Sequence, residues 1–201
     1  MRIAPAMLAV FASLIALPIA LPAQPVEAKH RGHCTEWTSK TEPPPTIRVY
    51  RVSEGFVETV DFKLYVIRVA SREWGVEQAA VRKAGAVAVK QYAWYHVLHY
   101  RGGVFEGECF DVRDTTADQL YGARPLQNIP DRIKRAVNKT WNWRLWRGDK
   151  FIMTGYRRGQ LVGCAEDAGK KLYARSAKKC ANAGWSAKRI LRVYYTATLK
   201  T

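Results

Sequence analysis

The N-terminal segment is the feature that most constrains the fold of this chain, because it predicts export from the cytoplasm. Arg2 is followed by an almost uninterrupted apolar run over residues 6–21, and small residues follow at Ala23 and Ala28. This order is typical of a secretory signal peptide, and we predict residues 1–28 to be that peptide. The alternative is an uncleaved membrane anchor, although the run is short for a spanning helix and prolines interrupt it.

Four cysteines follow the predicted cleavage point, and an even number in an exported chain predicts disulfides rather than catalytic thiols. They are Cys34, Cys109, Cys164 and Cys180, and none belongs to a C-x-x-C motif. Four cysteines can pair in three ways. We favour Cys164 with Cys180, which are close in sequence, and Cys34 with Cys109, which would fasten the N-terminal segment.

The chain is strongly basic, with a net charge of +16 that removal of residues 1–28 leaves unchanged. Such a surplus attracts polyanions. For an exported protein these are wall polymers, peptide-stem carboxylates and anionic lipid heads, so we expect a secreted, extracytoplasmic protein of the cell envelope. Two alternatives are a charge that only keeps the surface solvated, and a nucleic-acid or lipid binder. We expect no nucleic-acid partner.

The rest of the sequence predicts one compact α+β domain over residues 47–201, in which helices are mixed with short antiparallel hairpins and fastened by the disulfides. The roughly 170 residues after the signal peptide suffice for one domain with its own core. Residues 29–46 are polar, end in three prolines, and are expected to form an exposed lead-in.

Hydrophobic periodicity places the individual elements. Alternating apolar residues predict a hairpin over 47–60, and Asp61 is a candidate N-cap for a helix over 62–74 that ends at Gly75. A longer helix is predicted over 76–100. We predict a loop region over residues 101–129, a helix over 130–139 and a second hairpin over 141–156. Two C-terminal helices are predicted over 176–182 and 186–195.

Three segments of the domain carry more specific patterns. In the first, Ser71-Arg72-Glu73-Trp74 at a helix end precedes an Ala/Val-rich run that ends in Lys90-Gln91-Tyr92-Ala93. The second, residues 111–121, reads Asp-x-x-Asp-Thr-Thr-x-x-Gln-x-Tyr. The third contains Gly184-Trp185-Ser186 and ends in Tyr194-Tyr195. Together they resemble the SpoIID/LytB family, also described as stage II sporulation protein D-like or amidase-enhancer domains.

This resemblance implies an activity on peptidoglycan. Some members are lytic transglycosylases that prefer glycan strands stripped of peptide stems, and others enhance a wall amidase. The implied partners are glycan strands or anionic wall polymers, together with a wall amidase, and no cofactor is expected. We therefore predict lytic-transglycosylase-like cleavage. The alternative is a non-catalytic basic module that binds the wall and enhances or localises an amidase.

The resemblance places the catalytic acid at Glu73, and the local sequence agrees. A general acid must keep its proton near neutral pH. Glu73 lies in the last turn of its predicted helix, where the dipole disfavours a carboxylate, and Trp74 could add an apolar wall, whereas Arg72 opposes both. The alternative is an ordinary surface glutamate. A hydrolase would need a second carboxylate, for which Glu77, Asp111 and Asp114 are available.

Candidate substrate contacts come mainly from the same segments. Gln119 and Tyr121 are the first candidates, joined by Lys90, Asp111, Asp114 and Trp74; Trp94 is a further candidate for stacking on sugar. Asp114, Thr115 and Thr116 could instead form a structural turn network.

No metal is expected. Some relatives carry zinc ligands around the Asp-Thr-Thr segment, where this chain has Arg113, Ala117 and Asp118. The pair His96 and His99, and the group His30, His33 and Cys34, are interpreted as incidental.

Two departures from the family pattern affect substrate preference or activity. Lys90 stands where the family often has arginine, which removes the planar guanidinium. Residues 157–160 lack an expected Ser-Gly-Gly.

Overall fold

The computed structural model of the protein describes residues 34–160, 162–169 and 171–201. The predicted signal peptide, residues 1–28, lies outside the described residues, as do His30 and His33 of the N-terminal group.

The described residues form one compact α+β unit, which confirms the predicted fold class. Every predicted helix is present, and the strands are short. The elements in chain order are β1 Thr46–Arg51, β2 Phe56–Asp61, α1 Phe62–Trp74, α2 Ala79–His99, β3 Gly103–Phe105, β4 Glu108–Phe110, β5 Val112–Arg113, a 3-10 turn Leu126–Asn128, α3 Asp131–Lys139, β6 Arg144–Arg147, β7 Lys150–Phe151, β8 Gly155–Arg157, β9 Lys171–Tyr173, α4 Ala174–Asn182, α5 Ala187–Tyr195 and β10 Thr198–Lys200.

The first half of the domain is a small sheet that leads directly into a helix. β1 and β2 form the predicted antiparallel hairpin, and β5 adds to β1 in parallel. The Asp61 side chain accepts a hydrogen bond from the Leu64 backbone N–H at 2.8 Å, which confirms it as the N-cap of α1. This cap fixes where the strand ends and the helix begins.

The long helix α2 is the centre of the core and packs against α1, α3, α4 and α5. Its small residues permit these close contacts. The indole of Trp74 lies directly on Gly85, where a Cβ would come within 2.1 Å of the ring. The helix begins at Ala79 rather than at residue 76, and it ends where Tyr100 adopts a left-handed conformation with φ of 44°.

The C-terminal half is attached to α2 by a buried amide. Gln91 donates to the carbonyls of Leu145 and Ile152 and accepts from the Leu145 N–H, all at 2.7 Å. These bonds hold the hairpin of β6 and β7, which turns at Gly148 and is shorter than the predicted hairpin over residues 141–156, because β8 pairs in parallel with β9. β10 adds to the other side of β6.

Two disulfides fasten the domain, and both follow the favoured pairing. Cys34 is bonded to Cys109 on β4, and Cys164 is bonded to Cys180 on α4. Within the described ranges, no helix is both long enough and apolar enough to cross a membrane.

Candidate functional site

Glu73 lies at the C-terminal end of α1, and its carboxylate is held at one oxygen. Oε1 accepts a hydrogen bond from the Leu120 backbone N–H at 2.9 Å and another from the Tyr156 hydroxyl at 3.2 Å. Leu120 belongs to the Asp-Thr-Thr segment and Tyr156 to β8. Three distant parts of the chain therefore meet at this carboxylate.

A buried chain of hydrogen bonds lies behind Tyr156. Tyr65 donates its hydroxyl proton to Gln119 Oε1 at 2.9 Å, so Gln119 Nε2 faces the other way. Nε2 donates to the Val89 carbonyl at 3.2 Å and to the Tyr156 hydroxyl oxygen at 3.1 Å. Because Tyr156 already accepts there, its own proton is directed at Glu73. The network fixes the direction of each donor.

The surroundings of Glu73 favour its protonated form. Burial raises the pKa of the Glu73 carboxyl above its ordinary value, and the bonds from Leu120 and Tyr156 and the charge of Arg72 oppose this only in part. From the sequence, the helix end and Trp74 favour a raised pKa for Glu73, Arg72 opposes it, and their balance is open; in the structure burial is the largest cause of the shift. Burial also raises the pKa of Tyr156 well above its ordinary value, so that the phenol remains a proton donor to Glu73.

The two oxygens of Glu73 have different surroundings. In the described part of the chain both hydrogen-bond donors reach Oε1. An oxygen that accepts two hydrogen bonds has its lone pairs occupied, so Oε2 is the oxygen that holds the proton of the neutral acid. This arrangement can present one acidic proton in a fixed direction.

Basic clefts adjoin Glu73 on both sides in the chain. The residue before it, Arg72, lines a cleft of about 510 Å³ that also contains Arg68 and Arg124. Val76 and Glu77, just after it, line a second cleft of about 420 Å³. The basic residues of the second cleft are Arg158, Arg175, Lys178 and Lys179. Both surfaces suit an anionic polymer.

Most of the side chains predicted to contact substrate are buried, and their contact with substrate stays a prediction. Their exposed fractions are at most 3 %, so they support the site from below the surface and offer no face to a polymer in this conformation. They are Gln119, Tyr121, Trp74, Lys90, Asp111 and the further candidate Trp94.

Trp74 and Tyr121, two of these buried aromatic residues, pack against other aromatic rings of the site. The Trp74 ring meets the Tyr156 ring edge-on, with centroids 5.4 Å apart, and thereby holds the phenol that donates to Glu73. Tyr121 stacks on Tyr65 at 5.3 Å, and its hydroxyl donates to Glu58 on β2.

Lys90 binds backbone rather than an anion. Its Nζ donates to the carbonyls of Thr140 at 3.4 Å and Trp143 at 2.7 Å, and also to that of Trp141. Burial, with the nearby charge of Arg144, lowers the pKa of Lys90 to about 7. The lysine therefore orders the turn after α3.

The two aspartates of the signature also have structural partners. Asp111 is fully buried and accepts from the Arg48 backbone N–H at 2.8 Å. Asp114 accepts from Arg51 Nε and from the Val52 N–H, each at 3.0 Å. These bonds tie the segment to β1, which supports the structural interpretation of Asp114, and neither aspartate lines either of the two basic clefts.

The histidines on α2 do not gather a ligand set. His96 Nδ1 lies 3.3 Å from the Asp111 carbonyl and 4.0 Å from Asp118, and the His99 ring stacks on Tyr95. Among the residues that the structure describes, no group of three or more His, Cys, Asp or Glu side chains could hold a metal ion.

Sequence reasoning missed Tyr156, Tyr65 and the Leu120 N–H. Tyr156 is 83 residues from Glu73, and the pattern around it predicted only the end of a hairpin. Leu120 occupies an unspecified position of the signature and acts through its backbone. The signature glutamine would have indicated polar partners such as Tyr65 and Tyr156 only once Gln119 was known to be buried.

Comparison with protein families gives a match over part of the chain. Residues 50–145 match a family model described as SpoIID, Stage II sporulation protein. The matched range contains Glu73 and the complete Asp-Thr-Thr segment, and it ends before Tyr156 and the C-terminal helices. No curated protein matches the chain.

Proposed function

The chain belongs to the SpoIID family through residues 50–145, a family involved in sporulation and cell-wall peptidoglycan processing, and from this premise we propose that it is a lytic transglycosylase. In this proposal the substrate is the glycan strand and Glu73 is the acid and base. The observation that carries it is the single half-buried carboxyl with a raised pKa, hydrogen-bonded at Oε1 only among the described residues.

The proposed reaction needs one proton carrier. Glu73 Oε2 gives its proton to the bridging glycosidic oxygen as the bond from that oxygen to the anomeric carbon breaks. The 6-hydroxyl of the same sugar then bonds to the anomeric carbon, and its proton passes to the Glu73 carboxylate. The products are a free hydroxyl end and a 1,6-anhydro end, and the enzyme regains its starting protonation state.

The surroundings of the other carboxylates favour this one-acid mechanism over hydrolysis. A hydrolase normally uses two carboxyl groups that face the same bond. Asp111 and Asp114 are instead bonded to β1 and its turn, through Arg48, Arg51 and Val52. Of the three candidates, Glu77 alone lines a cleft next to Glu73.

We propose that the protein acts outside the cytoplasm, where the predicted signal peptide would deliver it. The two disulfides are compatible with that location. The basic clefts, which residues before and after Glu73 in the chain help to line, would attract peptide-stem carboxylates and anionic wall polymers and so favour binding of the strand.

The deciding experiment is mass spectrometry of the soluble products released from purified glycan strands, both peptide-bearing and denuded. We expect anhydro-ended fragments from the wild type and a loss of at least about 100-fold in Glu73→Gln. Glu77→Gln is the matched control and should keep the activity. Reducing-end fragments that disappear in Glu77→Gln would instead establish hydrolysis.

A second candidate is a non-catalytic wall-binding module that assists an amidase, and the basic clefts favour it. It predicts no fragments from either protein, salt-sensitive binding to wall material, and faster release by an added amidase. Equal stimulation of an amidase by the wild type and Glu73→Gln, without cleavage, would replace the enzyme proposal.

A further inference from the structure

A third basic cleft lies between the beginning of α2 and α3 and shares no lining residue with the two clefts described above. Its volume is about 200 Å³. Five cationic side chains line it and no carboxylate does: Arg82, Lys83, Arg132, Arg135 and Lys139. The remaining lining residues are alanines, Ala79 and Ala136, whose short side chains leave space between the cations.

Among the described residues, no carboxylate forms an ion pair with a cation of this cleft, although Arg132 Nε donates to the Gly75 carbonyl at 3.2 Å. Asp131, the one acidic residue of α3, is paired with Lys134 at 2.7 Å, and Lys134 is not among the lining residues. The pKa of Arg82 is lowered by burial and by the charges of Arg132 and Arg135. These like charges repel one another, and a bound anion would relieve the repulsion.

Arg82 supplies a second, independent observation. One of its terminal nitrogens donates to the Glu77 carbonyl, which fixes the guanidinium. Its Nε is buried, and no acceptor in the described part of the chain reaches it. A buried donor without a protein acceptor is costly, and an oxygen of an anion bound in this cleft would satisfy it.

We infer that this cleft, formed by Arg82, Arg132, Arg135 and their two neighbouring lysines, is a binding site for a phosphate group. A carboxylate offers two oxygens and one charge, whereas a phosphate group offers three or more oxygens and up to two charges. Planar guanidinium groups bind such oxygens in pairs. The site is separate from the proposed glycan cleavage and does not depend on it.

The test is thermal unfolding of the whole protein with increasing inorganic phosphate, at an ionic strength kept constant with sodium chloride. At about tenfold excess over the dissociation constant, the wild-type midpoint should rise by about 3 °C or more. In Arg135→Gln/Lys139→Gln this rise should disappear. Without phosphate, the same variant should be at least as stable as the wild type, because repulsion is relieved.

The matched control is Lys188→Gln/Arg192→Gln on α5, which removes the same two charges from exposed positions with the same spacing. It should keep the full rise. If phosphate stabilises all three proteins equally, or does not stabilise the wild type, the inference is wrong, since a general anion effect would not depend on the cleft.

Two sources could supply the phosphate group, and a second measurement separates them. Sedimentation with phosphatidylglycerol-containing vesicles should be about tenfold weaker for Arg135→Gln/Lys139→Gln than for the control if the source is a lipid headgroup. Equal sedimentation of both variants, with the selective rise in inorganic phosphate intact, would assign the site to a soluble phosphate.

Discussion

At the scale of single residues, the proposed proton transfer depends on how Tyr156 holds Glu73. The phenol donates to Glu73 Oε1 and accepts from Gln119 Nε2. It therefore links the buried hydrogen-bond network to the half-buried carboxyl of Glu73. The hydrogen bond stabilises the ionised carboxylate, whereas burial stabilises the neutral acid. The balance between these two effects sets the pH range in which Glu73 can give a proton.

Tyr156→Phe should shift that balance toward the neutral acid. Loss of the donated hydrogen bond raises the pKa of Glu73 further, so the alkaline limb of the pH–rate profile should move to higher pH. Stability should fall by about 1 kcal/mol, because Gln119 also loses an acceptor. The profile is measured on denuded strands. An unchanged alkaline limb would show that the phenol does not act on Glu73.

Glu73→Gln should change stability in a pH-dependent way. The folded-state pKa of Glu73 is raised, so below its ordinary value of 4.5 both states hold the proton and the side chain has no effect on stability. As pH rises through the folded-state pKa, the wild type must bury a charge and loses stability relative to Glu73→Gln.

Melting temperatures of the two proteins between about pH 4 and pH 8 measure this difference. Glu77→Gln, which removes a charge from the neighbouring cleft, is the control. A gap between wild type and Glu73→Gln that does not widen with pH would contradict the raised pKa.

At the scale of elements, the contact between α1 and α2 positions the acid. Trp74 ends α1, packs on Gly85 of α2 and meets the Tyr156 ring. The absence of a side chain at Gly85 allows the indole to lie flat on the helix. The residue before Trp74 is Glu73, so a displacement of this ring moves the carboxyl.

Gly85→Ala tests this contact, because here the substitution should lower the stability of the protein, whereas in an exposed helix it usually raises it. In an exposed helix the change stabilises by up to about 1 kcal/mol, whereas here the new methyl would overlap the indole and cost about 1–3 kcal/mol. Denaturant unfolding measures it. The double variant Gly85→Ala/Trp74→Phe should recover part of the loss, and purely additive effects would exclude the contact as the cause.

At the scale of the whole molecule, the charge of +16 should govern association with the wall. We expect sedimentation with purified wall material to weaken severalfold when salt rises from about 50 mM to about 500 mM, because the screening length shortens. Glu73→Gln should bind as the wild type does, since it removes one acid and leaves every cation. Binding that ignores salt would point to recognition by neutral sugar contacts instead.

The sequence by itself determined the elements, because their signals are local. Alternation gave the first hairpin, Asp61 marked the start of α1, and the spacing of the cysteines favoured the pairing that forms. It also marked Glu73 as the candidate acid and identified the local influences on its pKa, since a helix end and its neighbours are visible in a short stretch of chain.

Only the tertiary structure decided which polar side chains are exposed. Gln119, Lys90 and Asp111 look like ligand-binding residues in sequence, yet all three are buried. Gln119 is hydrogen-bonded to Val89, Lys90 to the turn after α3, and Asp111 to β1. Tyr156 reaches Glu73 across 83 residues. Periodicity reports which face of an element is apolar, but a buried polar side chain is placed by partners that are distant in sequence, and only the folded chain brings those partners together.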